Sequence, residues 1–218
     1  MDILITGTSD GIGRATAEYF LERGHSVVGF DRKPPALLHP NYRHEILDIC
    51  DADAYPEDVQ PEILINNAGV QDSGRDIEIN LMGTIRITEK YAIANPRIRA
   101  VVMVGSASAH TGSEFPEYAA SKGGLLTYTK NAALRLAPRA VCNSIDPGGV
   151  LTDLNRPVME DPELWNQIMA LTPLRRWATP EEIAEWIYFV GVRNRFMTGQ
   201  NLLIDGGEAG DAHFVWKD

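Results

Sequence analysis

The sequence predicts a doubly wound α/β fold, in which one parallel sheet is covered by helices on both faces. Short apolar runs rich in β-branched residues alternate with segments of helical period along the chain. Runs that are apolar on both faces and separated by helices are typical of such sheets. The 218 residues, 44% of them hydrophobic, are enough for one well-buried core, and no change in composition suggests a second. We therefore expect a single domain over residues 1–218.

Seven strands are predicted from apolar runs bounded by turn residues, at 3–6, 26–30, 45–48, 62–67, 100–105, 140–145 and 201–205. Between the first two runs, apolar residues recur at helical spacing and Gly24 supplies a C-cap. Further helices are predicted over 76–94, 118–137 and 180–190, the last with Thr179 as its N-cap.

The connection between the third and fourth predicted strands is unusually short. The stretch between Asp48 and Asn66 contains Pro56 and Pro61. A full crossover helix with its loops needs more residues than this, and prolines interrupt helices. We expect a turn or a short helical stub in its place.

Charge and cysteine content exclude several classes of function. The net charge of -10 argues against a nucleic-acid partner, because phosphate binding needs a basic face. Cys50 and Cys142 are far apart and lack metal-ligand spacing, so we expect no disulfide framework, no metal site and a reducing compartment. No signal-like segment and no apolar run of membrane-spanning length is present, which predicts a cytoplasmic protein without a membrane partner.

A glycine-rich turn, "TGTSDGIG", lies between the first predicted strand and the first helix. Glycines permit a tight turn with close backbone approach, and free N–H groups and the helix dipole favour a pyrophosphate there. Many glycine turns are only turns, but a strand before and a helix after favour nucleotide binding. The candidate cofactor contacts in the turn are Gly7, Ser9, Asp10, Gly11, Ile12 and Gly13.

The charges after the second strand favour NAD as the cofactor. Asp31 is placed where a carboxylate can accept hydrogen bonds from the adenosine ribose hydroxyls. This carboxylate repels a 2′-phosphate, and Asp10 adds a second negative charge. Arg32 is the one residue identified here that can compensate such a phosphate, through a bidentate fork. NADP therefore stays the alternative.

The stretch "YAASK" places a phenol, Tyr118, and an ammonium, Lys122, four positions apart in a predicted helix. Positions i and i+4 lie on one helix face, so the two groups are neighbours. A free phenol has a pKa of about 10, and an adjacent cation favours phenolate. Such a tyrosine can exchange protons near neutral pH, although an isolated Y-x-x-x-K is usually an ordinary helix with a surface lysine.

The ordered set of motifs resembles the short-chain dehydrogenase/reductase family over almost the whole chain. The motifs are "TGTSDGIG", "NNAG" (66–69), Asn80, Ser106, "YAASK", "PGGVLT" (147–152) and "DGG" (205–207). The resemblance implies a Rossmann-like domain with a seven-stranded parallel sheet and an NAD(P)-dependent oxidoreductase activity.

The resemblance implies that Tyr118 gives or takes the proton of the substrate oxygen while a nicotinamide exchanges hydride with the substrate carbon. Lys122 would favour the phenolate and hold the nicotinamide ribose. Ser106 would hydrogen-bond the substrate oxygen; its spacing to Tyr118 is one residue short of the family pattern, so Ser108 is the alternative. Asn80 would position a water in a relay from Lys122, a role supported by its position alone.

The resemblance also places residues around the cofactor. Asp48 and Ile49 would lie beside the adenine, and Val150 and Thr152 would bind the nicotinamide carboxamide. The full set that it adds is Asp48, Ile49, Asn67, Ala68, Gly69, Pro147, Gly148, Val150 and Thr152, together with Tyr118 and Lys122. Asn66 is expected to be structural.

The resemblance leaves the substrate open. Residues 153–178 would form a lid with an apolar inner face, which suits a secondary alcohol or ketone that is apolar or bulky, steroid-like ketones included. The same residues can equally serve to pack the lid. The alternatives are an NADP-dependent 3-oxoacyl thioester reductase and a catalytically idle nucleotide-sensing protein.

The family commonly forms homodimers or homotetramers, and the shortened connections put its usual helix contacts in doubt. At the C-terminus, Phe214, Val215 and Trp216 are too apolar for a free tail, so we expect them to pack on a neighbouring subunit or at the pocket rim.

Glu114 and His110, between Ser106 and Tyr118, are candidates to touch substrate, although a loop histidine is usually solvated.

Overall fold

Seven strands form one fully parallel sheet in a computed structural model of the protein, which describes residues 1–113 and 115–210. The strands are β1 (Asp2–Thr6), β2 (Ser26–Asp31), β3 (Tyr42–Ile46), β4 (Ile63–Asn66), β5 (Ala100–Val104), β6 (Val141–Pro147) and β7 (Asn201–Ile204). Their order across the sheet is β3-β2-β1-β4-β5-β6-β7. This confirms the predicted doubly wound fold. The expectations for Glu114 and for Phe214, Val215 and Trp216 lie outside the described residues.

Helices cover both faces of the sheet. They are α1 (Gly11–Glu22), α2, α3 (Ser108–Thr111), α4 (Pro116–Leu136), α5 (Arg156–Met159), α6 (Pro162–Leu171) and α7 (Pro180–Tyr188). Helix α2 is continuous and consists of a π-helical segment (Ile77–Gly83), an α-helical segment (Thr84–Thr88) and a second π-helical segment (Glu89–Ile93). A further π-helical turn, Phe189–Arg193, extends α7. None of the helices in the described ranges is long and apolar enough to cross a membrane.

Two hydrophobic clusters hold the layers together, one on each face of the sheet. Phe20 of α1 and Ile187 of α7 belong to one cluster, and Tyr91 of α2 and Leu136 of α4 belong to the other. All five residues of β5 are buried, and successive residues alternate between the two clusters. Double-sided burial explains why the central strands are continuous apolar runs.

The strand order reverses next to β1, which pairs with both β2 and β4. The connections after β1 and β4 leave toward opposite sides of this point, so a crevice opens at the carboxyl ends of the two strands. The glycine turn follows β1 and the "NNAG" motif follows β4. The topology therefore brings these two motifs together.

Strand β3 differs from the prediction, which placed it at 45–48. The observed strand, Tyr42–Ile46, begins earlier and is only partly buried. It lies at the edge of the sheet and pairs only with β2, so it does not need an apolar run. The short connection that follows contains a single 3₁₀ turn, Ala52–Ala54, in line with the expected stub.

Helix α7 begins with a complete capping box. The Thr179 side chain accepts the Glu182 backbone N–H at 3.3 Å, and the Glu182 carboxylate accepts the Thr179 N–H at 2.9 Å. The neighbouring Arg176 guanidinium, followed by the Thr179 N–H, lowers the pKa of Glu182 to about 2. The Glu182 carboxylate therefore stays ionised throughout the ordinary carboxyl range. Its contribution to the cap is lost only as the pH falls toward 2.

We expect Thr179→Ala to lower the free energy of unfolding by about 1 kcal/mol, because an orphan N–H at the start of α7 loses its acceptor. Urea denaturation at neutral pH measures the change. The exposed Ser26→Ala serves as control and should change the free energy by less than about 0.5 kcal/mol. Equal midpoints for the Thr179 variant and the wild type would contradict the role of the cap.

Candidate active site

The glycine turn after β1 is shaped to receive a ligand with bare backbone. Gly7 and Gly11 have φ angles of 76° and 51°, a region that side chains other than glycine rarely adopt. A Cβ added at Gly13 would lie 1.8 Å from the Gly7 carbonyl oxygen. The N-cap residue of α1, Asp10, makes no side-chain cap bond, and the first turn of α1 has no acidic residue. The backbone N–H groups there fit the diphosphate of a dinucleotide.

The "NNAG" segment fixes this turn from the neighbouring strand. Thr6 Oγ1 accepts the N–H groups of Asn67 and Ala68, both at 3.0 Å. Asn67 Nδ2 donates to the carbonyl oxygens of Thr6 and Gly7. Asn66 has its predicted structural role, since its buried side chain donates to Thr88 Oγ1. Four hydrogen bonds therefore join the two predicted motifs.

Asp31, at the end of β2, is held in place by backbone donors. Its two carboxylate oxygens accept the N–H of Ser9 at 2.9 Å and the N–H of Lys33 at 2.8 Å. Lys33 Nζ forms an ion pair with Asp10 at 2.5 Å. The sequence interpretation that Arg32 is the one compensating cation is therefore incomplete, because Lys33 neutralises Asp10.

The residues predicted beside the adenine are only partly brought to the site. Asp48 lies 4.0 Å from the Arg32 guanidinium and accepts the N–H of Cys50. The Ile49 side chain is instead buried in the core against Gly83, and its carbonyl accepts the Tyr55 hydroxyl. The Ile49 side chain therefore does not line the predicted adenine site.

Lys122 is a buried ammonium in the middle of the site. Its side chain is in α4 and its Nζ donates to the Val104 carbonyl at the end of β5, at 2.9 Å. Burial lowers the pKa of Lys122 to about 8, and the carboxylates of Asp146 and Asp76 act in the opposite direction. Nζ lies 5.8 Å from the centre of the half-exposed Tyr118 ring, one helical turn away. The predicted pairing of these two groups is present.

Asn80 lies in the first π-helical segment of α2 and is fully buried. Its Oδ1 accepts the Val70 N–H, and its Nδ2 donates to the Val70 carbonyl and to Ser121 Oγ of α4. A Cβ added at Gly69 would lie 3.2 Å from Asn80 Oδ1 and 3.5 Å from Lys122 Nζ. Asn80 and Lys122 thus both lie next to Gly69, and π-helical segments are frequent at functional sites.

Ser106 follows β5 at the same edge of the sheet as Lys122. It is buried, and its Oγ accepts the Ser108 N–H at 3.1 Å. Ser108 is also buried, inside the short helix α3. The structure thus places both predicted serines in one turn, with Ser106 nearer to the strand end.

The turn after β6 closes the site from the other side. Pro147 ends β6, and the Gly148 N–H donates to the Ile204 carbonyl of β7. Val150 is buried, and Thr152 Cγ2 would lie 3.3 Å from a Cβ at Gly11. The predicted nicotinamide turn therefore touches the predicted diphosphate turn.

The segment predicted as a lid, 153–178, contains α5 and α6. Trp165 of α6 packs edge-on against Trp177, with ring centroids 4.9 Å apart. Trp177 is buried over Gly149, where an added Cβ would lie 2.0 Å from its Nε1. The side chains of Leu154 and Leu164 are 60% and 38% exposed. Part of the apolar set packs the lid, and part is open to solvent.

Sequence analysis missed the contact between His110 and Asp146. His110 Nε2 donates to the Asp146 carboxylate at 2.7 Å, and Asp146 is fully buried at the end of β6. His110 is therefore not simply solvated. The available signal was an aspartate inside a predicted central strand, where a carboxylate is buried and needs a partner. Within the described part of the chain, no group of three or more His, Cys, Asp or Glu residues is arranged to hold a metal ion.

Comparison with known proteins identifies the family. A family model described as enoyl-(acyl carrier protein) reductase matches residues 60–208. The chain belongs to the short-chain dehydrogenase/reductase family. One relative in this family is the 3-oxoacyl-[acyl-carrier-protein] reductase FabG of Salmonella typhimurium. It is 30% identical to this chain, and the match covers 94% of this chain and 95% of the relative.

Solved structures of dehydrogenases superpose along nearly the whole chain. A 4-hydroxyisoleucine dehydrogenase complexed with NADH has a TM-score of 0.89 at 27% identity, covering 97% of this chain and 99% of its own. A putative 2-deoxy-D-gluconate 3-dehydrogenase of Agrobacterium tumefaciens with bound NADP has a TM-score of 0.86 at 26% identity, covering 96% of both chains. The protein is accordingly an NAD(P)-dependent oxidoreductase of the short-chain family.

We expect Gly13→Ala to weaken dinucleotide binding by more than about tenfold, because the methyl group displaces the Gly7 carbonyl and with it the turn. Quenching of tryptophan fluorescence on NADH addition measures the dissociation constant. The matched control is Gly123→Ala, since nothing lies within 4 Å of a Cβ at this helical position. Equal NADH affinity in both variants would contradict the assignment of the turn.

Proposed function

We propose that the protein transfers hydride between a nicotinamide dinucleotide and a secondary alcohol or ketone, with Tyr118 as proton donor or acceptor. The observation that carries this proposal is the buried Lys122 ammonium one helical turn from the Tyr118 phenol. In a site with little water, a fixed positive charge stabilises a phenolate more than it does in bulk solvent. Such a phenol suits proton exchange with a substrate oxygen near neutral pH.

Each side chain of the proposed site has a separate task. The bound cofactor supplies or accepts the hydride. Tyr118 transfers the proton at the substrate oxygen, and Lys122 keeps the phenol acidic while its Nζ is held by Val104. Ser106 Oγ hydrogen-bonds the substrate oxygen and stabilises negative charge that develops there. Asn80, fixed by Val70 and Ser121, orients a water that replenishes the proton through Lys122.

The adenosine end favours NAD in this proposal. The Asp31 carboxylate is held by two backbone N–H groups at the end of β2, which supports its proposed role as acceptor for the ribose hydroxyls. A 2′-phosphate would have to displace Asp31 or draw Lys33 away from Asp10. Both rearrangements cost free energy. Lys33 and Arg32 nonetheless make a 2′-phosphate less unfavourable than the sequence alone suggested.

We propose that residues 1–218 form one domain with 153–178 as the substrate lid. The exposed side chains of Leu154, Met159 and Leu164 support an apolar or bulky substrate, since a closing lid would bury them. The second candidate is a 3-oxoacyl thioester. It is favoured by the matching family model and by the FabG relative.

Assembly into a homodimer or homotetramer is also proposed. Trp186 and Phe189 form an exposed edge-on ring pair at the end of α7, with centroids 6.2 Å apart. Their side chains are 43% and 49% exposed, which supports a contact surface.

A cytoplasmic location is supported by the free thiols of Cys50 and Cys142.

We expect Tyr118→Phe to lower kcat by at least about a hundredfold, because the substrate oxygen loses its proton partner. NADH binding should change little, since the ring is retained. The rate is measured by nicotinamide absorbance with a panel of steroids, sugars, simple ketones and acyl thioesters. Full turnover by the variant on a substrate that the wild type uses would overturn the proposed role of Tyr118.

We expect the wild type to bind NADH more tightly than NADPH, and Asp31→Ser to reduce this preference by at least about tenfold, because a carboxylate repels the 2′-phosphate. Separate fluorescence titrations with the two cofactors give both dissociation constants. Tighter NADPH binding by the wild type would contradict the assignment of Asp31.

A further inference from the structure

Asp146 is a buried carboxylate that the proposed reaction leaves without a task. Asp146 is 0% exposed, and Ser144, two positions earlier on β6, is also buried. On β6 it shares a sheet face with Cys142, which packs in the cluster under α4. This is the face that carries Lys122. A Cβ at Gly105 would lie 2.0 Å from Asp146 Oδ1, so the glycine leaves room for the carboxylate.

The two oxygens of this carboxylate have different surroundings. Oδ2 accepts the His110 Nε2–H at 2.7 Å. Oδ1 is buried, and no hydrogen-bond partner for it is found within the described residues. A buried carboxylate is costly unless a charge or a donor compensates it. His110, whose side chain is 27% exposed, supplies the donor. A positive charge nearby is needed as well.

Lys122 is that positive charge, because its Nζ donates to the carbonyl of Val104 and the next residue, Gly105, lies against Asp146 Oδ1. Burial disfavours its ammonium, whereas Asp146 and Asp76 favour it, with Asp146 the larger of the two. Asp76 precedes α2 and already accepts the Asp72 and Ser73 N–H groups and the Ser73 hydroxyl. Burial raises the pKa of Asp146, and the hydrogen bond from His110 acts against that rise.

We propose that Asp146, held by His110, is a positioning residue that keeps Lys122 protonated beside Tyr118. The proposal rests on the proposed function, because Asp146 acts only through Lys122 and Tyr118. The charged and titratable groups around the ammonium are Asp76 before α2, His110 of α3, Tyr118 of α4 and Asp146 of β6.

The chain of contacts assigns a distinct part to each residue. The His110 hydrogen bond favours the ionised form of Asp146 in a place where burial disfavours it. The ionised Asp146 then favours the ammonium of Lys122. Without the Asp146 charge, Lys122 releases its proton more readily, and a neutral amine no longer stabilises the Tyr118 phenolate. A half-exposed imidazole thus supports the proton chemistry at the centre of the site.

The test measures Lys122 directly by ¹³C NMR of lysine-labelled protein, with the signal assigned through Lys122→Met. In Asp146→Asn the titration midpoint of Lys122 should fall by about one pH unit. The matched control is Glu185→Gln, which removes an exposed carboxylate from α7 on the opposite face of the sheet and should leave the midpoint in place. An unchanged midpoint in Asp146→Asn overturns the proposal.

Kinetics supply a second measurement on the same variants. At pH 8 the protonated fraction of Lys122 should drop from about one half to about one tenth in Asp146→Asn, so kcat falls about fivefold. KM should change little, because Asp146 does not touch the substrate. A merely structural role predicts lower thermal stability with an unmoved pH profile, and that result counts against the proposal.

Variants of His110 test whether its hydrogen bond to Asp146 supports the charge on Lys122. They also serve if Asp146→Asn does not fold. His110→Leu removes the donor and should shift the Lys122 midpoint in the same direction as Asp146→Asn. His110→Gln keeps an N–H donor and should restore most of the wild-type midpoint. A midpoint in His110→Leu equal to that of the wild type overturns the part assigned to His110.

Tyr118→Phe separates this inference from the proposed function. If Tyr118→Phe is inactive and the Asp146→Asn midpoint is unchanged, only the inference on Asp146 fails. If Tyr118→Phe keeps full turnover, the proposed function fails, and with it the catalytic purpose of the Asp146 effect.

Discussion

The burial of one ammonium group constrains the whole site. Lys122 lies in the interior of the protein, where a charge is unfavourable unless hydrogen bonds and opposite charges surround it. The Val104 carbonyl at the end of β5 supplies the hydrogen bond, and Asp76 and Asp146 supply the charges. These groups come from separate elements, so the charged lysine depends on the assembled fold.

The parallel sheet makes this assembly possible. Because the carboxyl ends of parallel strands share one edge, turns that are far apart in sequence meet there. The turn after β1 is fixed by Asn67 from the turn after β4, and Thr152 from the turn after β6 lies against Gly11. The π-helical start of α2 adds Asn80 from the side. The site is thus a property of the sheet edge and of no single motif.

The sequence predicts the elements that follow local rules and fails where distant contacts decide. The apolar runs of β1, β4 and β5 and the helical period of α4 locate these elements, because their burial leaves a regular pattern. β3 was misplaced because an edge strand carries a weak pattern. The pairing of Tyr118 with Lys122 follows from helical spacing. The pairing of Lys33 with Asp10 and of His110 with Asp146 depends on tertiary folding, which residue spacing does not encode.

The most direct test of this account is the ionisation of Tyr118 itself, observed by NMR of protein labelled at the tyrosine ζ-carbon. The account predicts that the Tyr118 phenolate signal appears at a clearly lower pH in the wild type than in Lys122→Met, which keeps the length of the side chain and removes its charge. Identical titration of Tyr118 in the two proteins would contradict the claim that the buried ammonium makes this phenol a proton carrier.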